Sequence, residues 1–474
     1  MKKEIIVNCS QEETRVAVLE SGVLTDLFIE RRESEKIVGN LYKGKVEAVL
    51  PGISSAFVNI GFGKNAYLNG NDVIGPTNER KIEKILSKGM DILVQVDKEP
   101  ISTKGPKVTM DVSLPGRFIV YMPFADHDGI SKNIEERQER SRLRAILDEI
   151  KPKTGGLIVR TEAEDATKDE LKREVRYLTR LWESISRQMA TKKSPSLVHR
   201  DLGIVFQTIR DTFNEQVEIL LIDSKEEYSE AIDFVNIVSP ELVNKVKLYT
   251  AKTPIFKAFN IEEAIKKLHS ARVGLPSGGS IIIQEAESLV AIDVNTGRFT
   301  GSGSQEDTVT HTNLEAAKEI ARQLRLRNIG GIIVIDFIDM KRAKNRHKVL
   351  ETLEAAVKGD KAKIKILPIT RLGLIEMTRE RKRESLFSLL GETCPHCKGS
   401  GSVLSRESLF IQIAKELEQL KLTHHAGSIR LRLHPSVASY FKQRIDRLRK
   451  AASEKVEVLS SDDIDWEDYQ IIIE

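Results

Sequence analysis

Cysteine is scarce in this chain: three in 474 residues, an odd number. That excludes a disulfide framework of the kind that staples small secreted domains. Long apolar runs are missing as well. No segment approaches the roughly 18 uninterrupted apolar residues of a membrane span, and MKKEIIVNCSQEE opens with two lysines but no apolar stretch fit for a signal peptide. The expectation is a cytoplasmic protein. Internal repeats and low-complexity tracts are absent too. Charge of one sign is not in large excess: the net charge is +4, so the chain is no polycation, and an acidic partner has to be met by local basic patches such as KRAKNRHK and TRERKR. Those runs read equally as solvated helix faces. What is present is a hydrophobic fraction of 40% beside a charged fraction of 30%, the balance of a globular chain, with length for roughly three domains.

Short strands come first: EIIVN, TRVAVLE and LTDLFIE, separated by turn residues. Residues 38 to 73, VGNLYKGKVEAVLPGISSAFVNIGFGKNAYLNGNDV, set glycines between β-rich runs roughly every 8–12 residues, the rhythm of a small antiparallel barrel. DILVQV and PKVTMDVSL continue it to about Leu114. Residues 134 to 189 carry Arg, Glu, Leu and Ile at helical spacing, interrupted by the strand-like GGLIVRT. A helical stretch around 203 to 214 leads to the strand VEILLID and the helix EEYSEAIDFVNIV. Next, GSIIIQEAESLVAIDVNTG predicts a hairpin, and NLEAAKEIARQLRLRN an amphipathic helix with Leu314, Ala317, Ile320, Ala321 and Leu324 on one face. GGIIVIDFIDM predicts a buried strand and RAKNRHKVLETLEAAVKG a further helix. Together these imply α/β layering behind a β-barrel.

Asp293 closes LVAID and Asp336 closes GIIVID, with one helix between. If the two strands are neighbours, both carboxylates emerge at one edge of the sheet, where open α/β sheets place ligands. Two carboxylates without an adjacent Lys or Arg repel unless a cation sits between them, and a hard divalent ion, Mg²⁺ first, resolves this. Asn295 could orient a water or steady a carboxylate. Aspartate also ends strands because it favours turns, so the pair carries more than either residue alone. In the barrel, Phe57 and Tyr67 fall on successive strands and Lys104 and Lys107 on a later loop. Aromatic faces beside lysines suit single-stranded nucleic acid, although each aromatic alone also reads as core.

Cys394-Pro395-His396-Cys397 has the spelling of a redox pair. A redox cysteine wants a helix N-terminus in a thioredoxin-like βαβ unit, but KGSGS follows here. A zinc site wants four ligands, and the chain has no second CxxC. Cys9 reads as a small buried hydrophobe, and His396, His424 and His425 are possible ligands. Closure by two chains, each giving Cys394 and Cys397, makes the half-site a dimer staple and is favoured over redox.

AIDVNTGRFTG, GGIIVIDFIDM and CPHCKGSG, in that order behind a small barrel, resemble the ribonuclease E/G family over essentially the whole chain. The likeness is greater to its ribonuclease G branch, since no long disordered tail follows the terminal unit. The resemblance implies a Mg²⁺-dependent endoribonuclease that cuts single-stranded AU-rich RNA, favours 5′-monophosphorylated ends and serves rRNA and tRNA processing and mRNA turnover. It implies an RNase H-like fold in two parts, 1–37 and 203–275, around an OB-type RNA-binding barrel (38–115) and a 5′-end sensor (116–202). A DNase I-like catalytic domain (276–392), a zinc-link (393–402) and a small dimerisation domain (403–474) follow. Asp293 and Asp336 match the magnesium ligands, with Asn295 beside them in the catalytic set, and Cys394 and Cys397 match an intersubunit zinc site. Phe57, Tyr67 (Phe in ribonuclease E) and Lys104 match RNA contacts of the barrel. Gly116, Val120, Arg160 and Thr161 match the 5′-phosphate sensor, and Lys363 stands where ribonuclease E has Arg. Lys keeps the charge but loses the planar fork. Homodimers are implied, with pairing of dimers into tetramers left open. Two other readings stay open: an RNA-binding scaffold that does not cut and, more remotely, a CPHC thiol oxidoreductase.

Overall fold

A computed structural model describes residues 2–473 apart from 32–36, 76–80, 101–104, 298–304, 382, 424–427 and 453–454. The chain divides into two compact units, Met1–Ser385 and Leu386–Glu474. No helix among the described residues is long and apolar enough to cross a membrane.

The first unit opens with β1 (Lys3–Cys9), β2 (Glu13–Glu20) and β3 (Val23–Arg31), an antiparallel meander. Five strands then make a closed barrel: β4 (Leu41–Leu50), β5 (Ser55–Asn59), β6 (Ala66–Asn69), β7 (Asp91–Lys98) and β8 (Lys107–Thr109), with closure by pairing of β4 with β7. Gly44 permits this closure, because a Cβ there would lie 2.5 Å from Cγ1 of Val58 on β5. The barrel strands end at Thr109. Leu114, expected to belong to them, instead begins β9 (Leu114–Pro115) of a second sheet with β10 (Ile119–Met122), β11 (Gly129–Ile130) and β12 (Gly156–Val159). Two amphipathic helices, Arg137–Ile150 and Lys168–Thr191, cover that sheet through Leu143, Leu147, Leu171 and Leu178. The longer one starts on a reciprocal cap between Thr167 and Glu170.

The chain then returns to the barrel, where β13 (Ser196–His199) pairs with β4. After the helix Ile204–Thr212, β14 (Val217–Ile222) inserts parallel to β1, and β15 (Val246–Leu248) completes a five-stranded sheet in the order β15-β14-β1-β2-β3. Two segments far apart in sequence therefore share one sheet. Ile5, Val7, Val16 and Val18 bury against Ile204, Val205, Ile209 and Phe213, each such aliphatic burial contributing about 1.5–3 kcal/mol.

The last sheet of this unit holds the aspartates. Its strands are β16 (Arg272–Gly274), β17 (Ser280–Glu285), β18 (Leu289–Asn295), β19 (Gly331–Asp336), β20 (Ile364–Ile366) and β21 (Leu374–Arg379), in the order β16-β17-β18-β19-β21-β20. The helices Gln305–Leu326 and Ala343–Val357 lie on one face, packed against Ile292, Ile333, Ile335 and Met377. The other face is open. GGIIVIDFIDM, expected to be a buried strand, alternates instead: Ile333 and Ile335 are fully buried while Ile332 is 53% exposed, because the helices cover only one side.

The second unit contains a three-stranded sheet, β22 (Ser428–Leu433), β23 (Lys455–Ser460) and β24 (Tyr469–Ile473), in the order β23-β22-β24. The helices Arg406–Thr423, Pro435–Lys442 and Ile445–Ala452 close its core around Leu409, Leu431 and Phe441.

Candidate functional site

Alternation with period two sends Ala291, Asp293 and Asn295 of β18 to the open face while Val290, Ile292 and Val294 are buried. β18 and β19 run parallel, and Asp293 stands in register with Asp336. Neighbouring strands lie about 4.8 Å apart, so both carboxylates share one face near the C-terminal ends of adjacent parallel strands. Asn295 Nδ2 donates to Asp293 Oδ2 at 2.6 Å and fixes that carboxylate. Among the described residues, no Lys or Arg forms an ion pair with either aspartate. Two unit charges 4 Å apart repel by about 1 kcal/mol in bulk water and by about 4 kcal/mol at an effective dielectric of 20. A bound cation removes that cost. Two carboxylate donors with no sulfur or imidazole suit Mg²⁺, which commonly takes one or two carboxylates and fills its remaining positions with water and phosphate oxygens.

Sequence reasoning passed over other parts of this face. Glu376 and Thr378 on β21 are paired with Val334 and Ile332 and are exposed there; alternation in LIEMTR is the signal. The turn 275–279 packs against 295–297: a Cβ on Gly297, whose φ is +60°, would lie 2.5 Å from Gly278 O. PSGG and NTG are turn-forming in sequence, but their mutual packing is a tertiary fact.

On the barrel, Phe57 and Tyr67 are in register on β5 and β6, with ring centroids 6.2 Å apart in an edge-on arrangement. Both are partly exposed. Tyr67 Oη lies 2.8 Å from Ser55 Oγ and accepts from Asn69 Nδ2 at 3.2 Å, bonds that lower the phenol pKa. Lys107, paired with Tyr67, is held by Asp72 at 2.8 Å and Asp97 at 3.0 Å. It therefore lies on β8 rather than in a loop, and two carboxylates of the barrel meet its ammonium. Lys104 lies outside the described residues. The TRERKR run is also engaged within the fold: Arg379 pairs with Asp360, Arg381 donates to Gly330 O, and Arg383 lies over Phe28 and donates to Gln207.

Arg160 and Gly116 are brought together, with Arg160 Nη1 donating to Gly116 O at 2.6 Å. A Cβ at Gly116 would meet the Glu174 carboxylate at 2.5 Å. Glu174 is itself buried and accepts the amides of Arg117, Phe118 and Ile119. Val120 lies on β10 opposite Ile158, half-buried. Thr161 Oγ1 lies 2.9 Å from Ser131 Oγ. Arg160 Nη1 also meets Asp211 Oδ1 at 2.9 Å, and its Nε lies 3.6 Å from Glu162. Lys363 is held through its main chain by Glu380, and its side chain is exposed.

Burial alone would push the Asp211 carboxyl up, but the Arg210 fork and the charges of Arg210 and Arg160 outweigh it and hold the pKa at about 2, against an ordinary 3.8. Its folded pKa is thus below the unfolded one. The associated stability is fully present above about pH 4 and is lost as pH falls toward 2. With the side chain only 27% exposed, Asp211→Asn is expected to cost roughly 2 kcal/mol near neutral pH and to flatten the acid limb between pH 4 and 2. Urea midpoints from pH 2.5 to 7 check this; parallel curves for the two proteins would refute it.

In the second unit, Cys394 and Cys397 sit on a turn in which Lys398, Gly399 and Gly401 have positive φ. The amides of Gly401 and Gly399 point at the Cys397 sulfur and lower its thiol pKa. No helix begins until Arg406. His396 stacks edge-on with His434 at 5.6 Å and with Trp466 at 6.3 Å. His424 and His425 fall outside the described residues, and among the described residues no three His, Cys, Asp or Glu converge as a metal cage.

Known proteins resemble this chain in sequence. A family model described as "Ribonuclease E/G family" matches residues 113–382, and one described as "RNase E/G, Thioredoxin-like domain" matches 393–473. Ribonuclease G of Haemophilus influenzae is 39% identical over 448 residues, covering 92% of this chain and 91% of that one. Ribonuclease G of Escherichia coli is 38% identical over 453 residues, with 93% of each chain covered. Ribonuclease E of Nostoc sp. is 39% identical over 409 residues, 85% of this chain and 59% of that one. With identity of this order running from the barrel through the aspartate sheet to the terminal unit, the chain belongs to the ribonuclease E/G family.

Proposed function

We propose that the chain is an endoribonuclease of RNA processing and turnover, with Asp293 and Asp336 as the residues that hold a catalytic Mg²⁺. The observation that carries this is the in-register carboxylate pair on an open sheet face, uncompensated by any cation among the described residues. When bound, Mg²⁺ supplies positive charge to the scissile phosphate and acidifies water for attack. The chain's own part is to fix the two carboxylates on rigid neighbouring strands, to orient Asp293 through Asn295, and to present RNA. Hydrolysis in this sense leaves a 5′-phosphate on the downstream product. The edge-on Phe57–Tyr67 pair on the barrel supports single-stranded RNA as substrate, since stacking on aromatics is tolerant of sequence; a preference for AU-rich segments belongs to the same proposal. The group around Arg160 supports a preference for 5′-monophosphorylated ends, because a guanidinium and a neighbouring hydroxyl can share phosphate oxygens.

The architecture is read in the same terms. The sheet built from both sides of the barrel is the split RNase H-like fold, and the aspartate sheet with its two helices is the DNase I-like catalytic domain. Cys394 and Cys397 are two ligands of a zinc-link, and the amide donors at Cys397 favour the thiolate that zinc needs. A thioredoxin-like fold places its redox cysteine at a helix start; this pair precedes the helix at Arg406 on an irregular turn instead.

A short 5′-monophosphorylated AU-rich RNA is expected to be cut internally with Mg²⁺ and to remain intact in EDTA, as read on a denaturing gel. Tight binding without cleavage by clean protein would replace the enzyme with an RNA-binding scaffold. Purified protein is expected to hold about one zinc per two chains, from four-ligand closure, and to fall from dimer to monomer when a chelator strips it. No zinc together with a reversible intrachain disulfide would return the cysteines to redox chemistry.

A further inference from the structure

We propose that the basic run KRAKNRHK, residues 341–348, forms with Lys318 a second RNA-binding strip, which takes the phosphate backbone of the strand where it leaves the aspartates. The inference rests on RNA being the substrate. Of the two basic runs in the sequence, TRERKR is engaged inside the fold, through the pairing of Arg379 with Asp360 and the bonds of Arg381 and Arg383. KRAKNRHK is held differently. Its main chain is fixed while its cations face solvent: Lys341, Arg342, Lys344 and Lys348 are exposed, as is Lys318. Among the described residues no carboxylate pairs with the side chain of Lys318, Lys341, Lys344 or Lys348.

The frame comes from the helix Gln305–Leu326. Asn313, fully buried, donates to Ile338 O at 2.8 Å and accepts the Ile338 amide at 3.1 Å. Two turns earlier, Glu306 accepts the amides of Lys341 and Arg342, at 3.1 and 3.0 Å, and the side-chain amide of Asn345 at 2.8 Å. Arg346 closes the same turn by donating to Met340 O and Lys341 O. The connection from Asp336, the last residue of β19, to the helix Ala343–Val357 is thus tied down along its length. Five residues span at most about 18 Å, so the strip begins within that distance of Asp336.

On the helix, Lys344 and Lys348 stand one turn apart, a spacing at which like charges repel. That turn rises about 6 Å, comparable with the separation of successive phosphates along a strand. Lys348 and Lys318, from the neighbouring helix, line one groove of about 420 Å³ with Glu351, Thr352, Ala355 and Ala356. Glu351, the acidic residue of that groove, is met by His347 Nε2 at 3.1 Å instead. Uncompensated ammonium groups on a rigid frame suit a polyanion: each phosphate they neutralise releases counterions, and the contact carries no base preference. A flat anionic membrane fits less well, since two of the lysines line a groove. The two helices cover the face of the sheet opposite the aspartates. The strand therefore passes round the C-terminal edge of β19, meeting Lys341 first and Lys344, Lys348 and Lys318 after it.

The test is the salt dependence of binding to a long single-stranded RNA, read by fluorescence anisotropy in EDTA so that the RNA stays intact. Each lost contact to a single strand lowers the slope of log K against log salt by about 0.7. Lys318→Gln, Lys344→Gln and Lys348→Gln together should lower it by about 2 and weaken binding at least tenfold near about 0.1 M salt. Lys225→Gln, Lys247→Gln and Lys252→Gln remove the same charge from exposed positions beside β14 and β15, and together should change the slope by less than about 0.5. The slope does not depend on what fraction of a preparation is folded, so partial misfolding cannot imitate the result. Equal slopes for the two triple variants overturn the strip and leave RNA as the substrate, because wild type still binds it. Loss of binding to vesicles of anionic lipid in the first triple variant, with its RNA slope kept, assigns these cations to a membrane surface and also overturns the strip. A wild type that binds no RNA overturns both the strip and the substrate.

Discussion

Asp336→Asn is expected to slow RNA cleavage at saturating Mg²⁺ by at least about a thousandfold, or ~4 kcal/mol of barrier. Asparagine matches aspartate in shape, and Asp336 is the exposed last residue of β19, with its main chain still paired to β18 and β21. The fold therefore has little reason to change. What changes is charge. One of the two anionic donors becomes neutral, and a hard dication loses a large share of its attraction to the site. RNA affinity measured by fluorescence anisotropy should shift far less than the rate, because the stacking pair Phe57–Tyr67 lies on the barrel, on other strands. A variant that cuts within tenfold of wild type would remove Asp336 from the metal site. One that loses binding and cleavage in parallel would mean that the aspartate sheet is a binding platform.

Whether a feature of this protein is legible in its sequence depends on how close its partners lie along the chain. The hairpin of β17 and β18 and the helix from residue 313 to 326 follow from periodicity, whereas the first turns of that helix, from Gln305, and the open face of β19 do not. The register of Asp293 with Asp336 is readable only conditionally, as a consequence of the two strands being neighbours. Pairing of β1 with β14 is not readable by spacing, because a barrel and a further sheet intervene. The same limit explains the lysines. Lys107 looks available in its loop, yet Asp72 and Asp97 come from other parts of the barrel. Arg160 looks available for phosphate, yet Asp211, on a later helix, already meets it. Asp360 reads as one more surface charge in GDKAKIKI, yet Arg379, nineteen residues on, anchors it in the sheet. Charge on a surface is local information; the partner of that charge is not.

That anchor gives the second large effect. Arg379 and Asp360 are each 6% exposed, and they meet through two bonds inside the first unit. Bringing both ions out of water is costly, so the pair as a whole adds little net stability, but removing one partner leaves the other charged, buried and unmatched. Arg379→Ala is expected to destabilise this sheet by about 3–5 kcal/mol, a large part of the ~5–15 kcal/mol that holds a typical domain together. The variant also loses the bond to Ile329 O. Since Arg379 pairs with Ile364 and with Gly331, the opening should be felt first in β20 and β21. Hydrogen exchange resolved by peptide measures it there. Protection in 364–379 should fall by more than a hundredfold, at tenfold per 1.4 kcal/mol, while protection in the second unit stays put. Arg379→Met with Asp360→Leu should recover most of the loss, because it replaces the pair with apolar volume and leaves no lone charge. If the double variant were as unprotected as Arg379→Ala, the anchor would owe its strength to the bonds the two side chains make to the main chain and not to the matching of their charges.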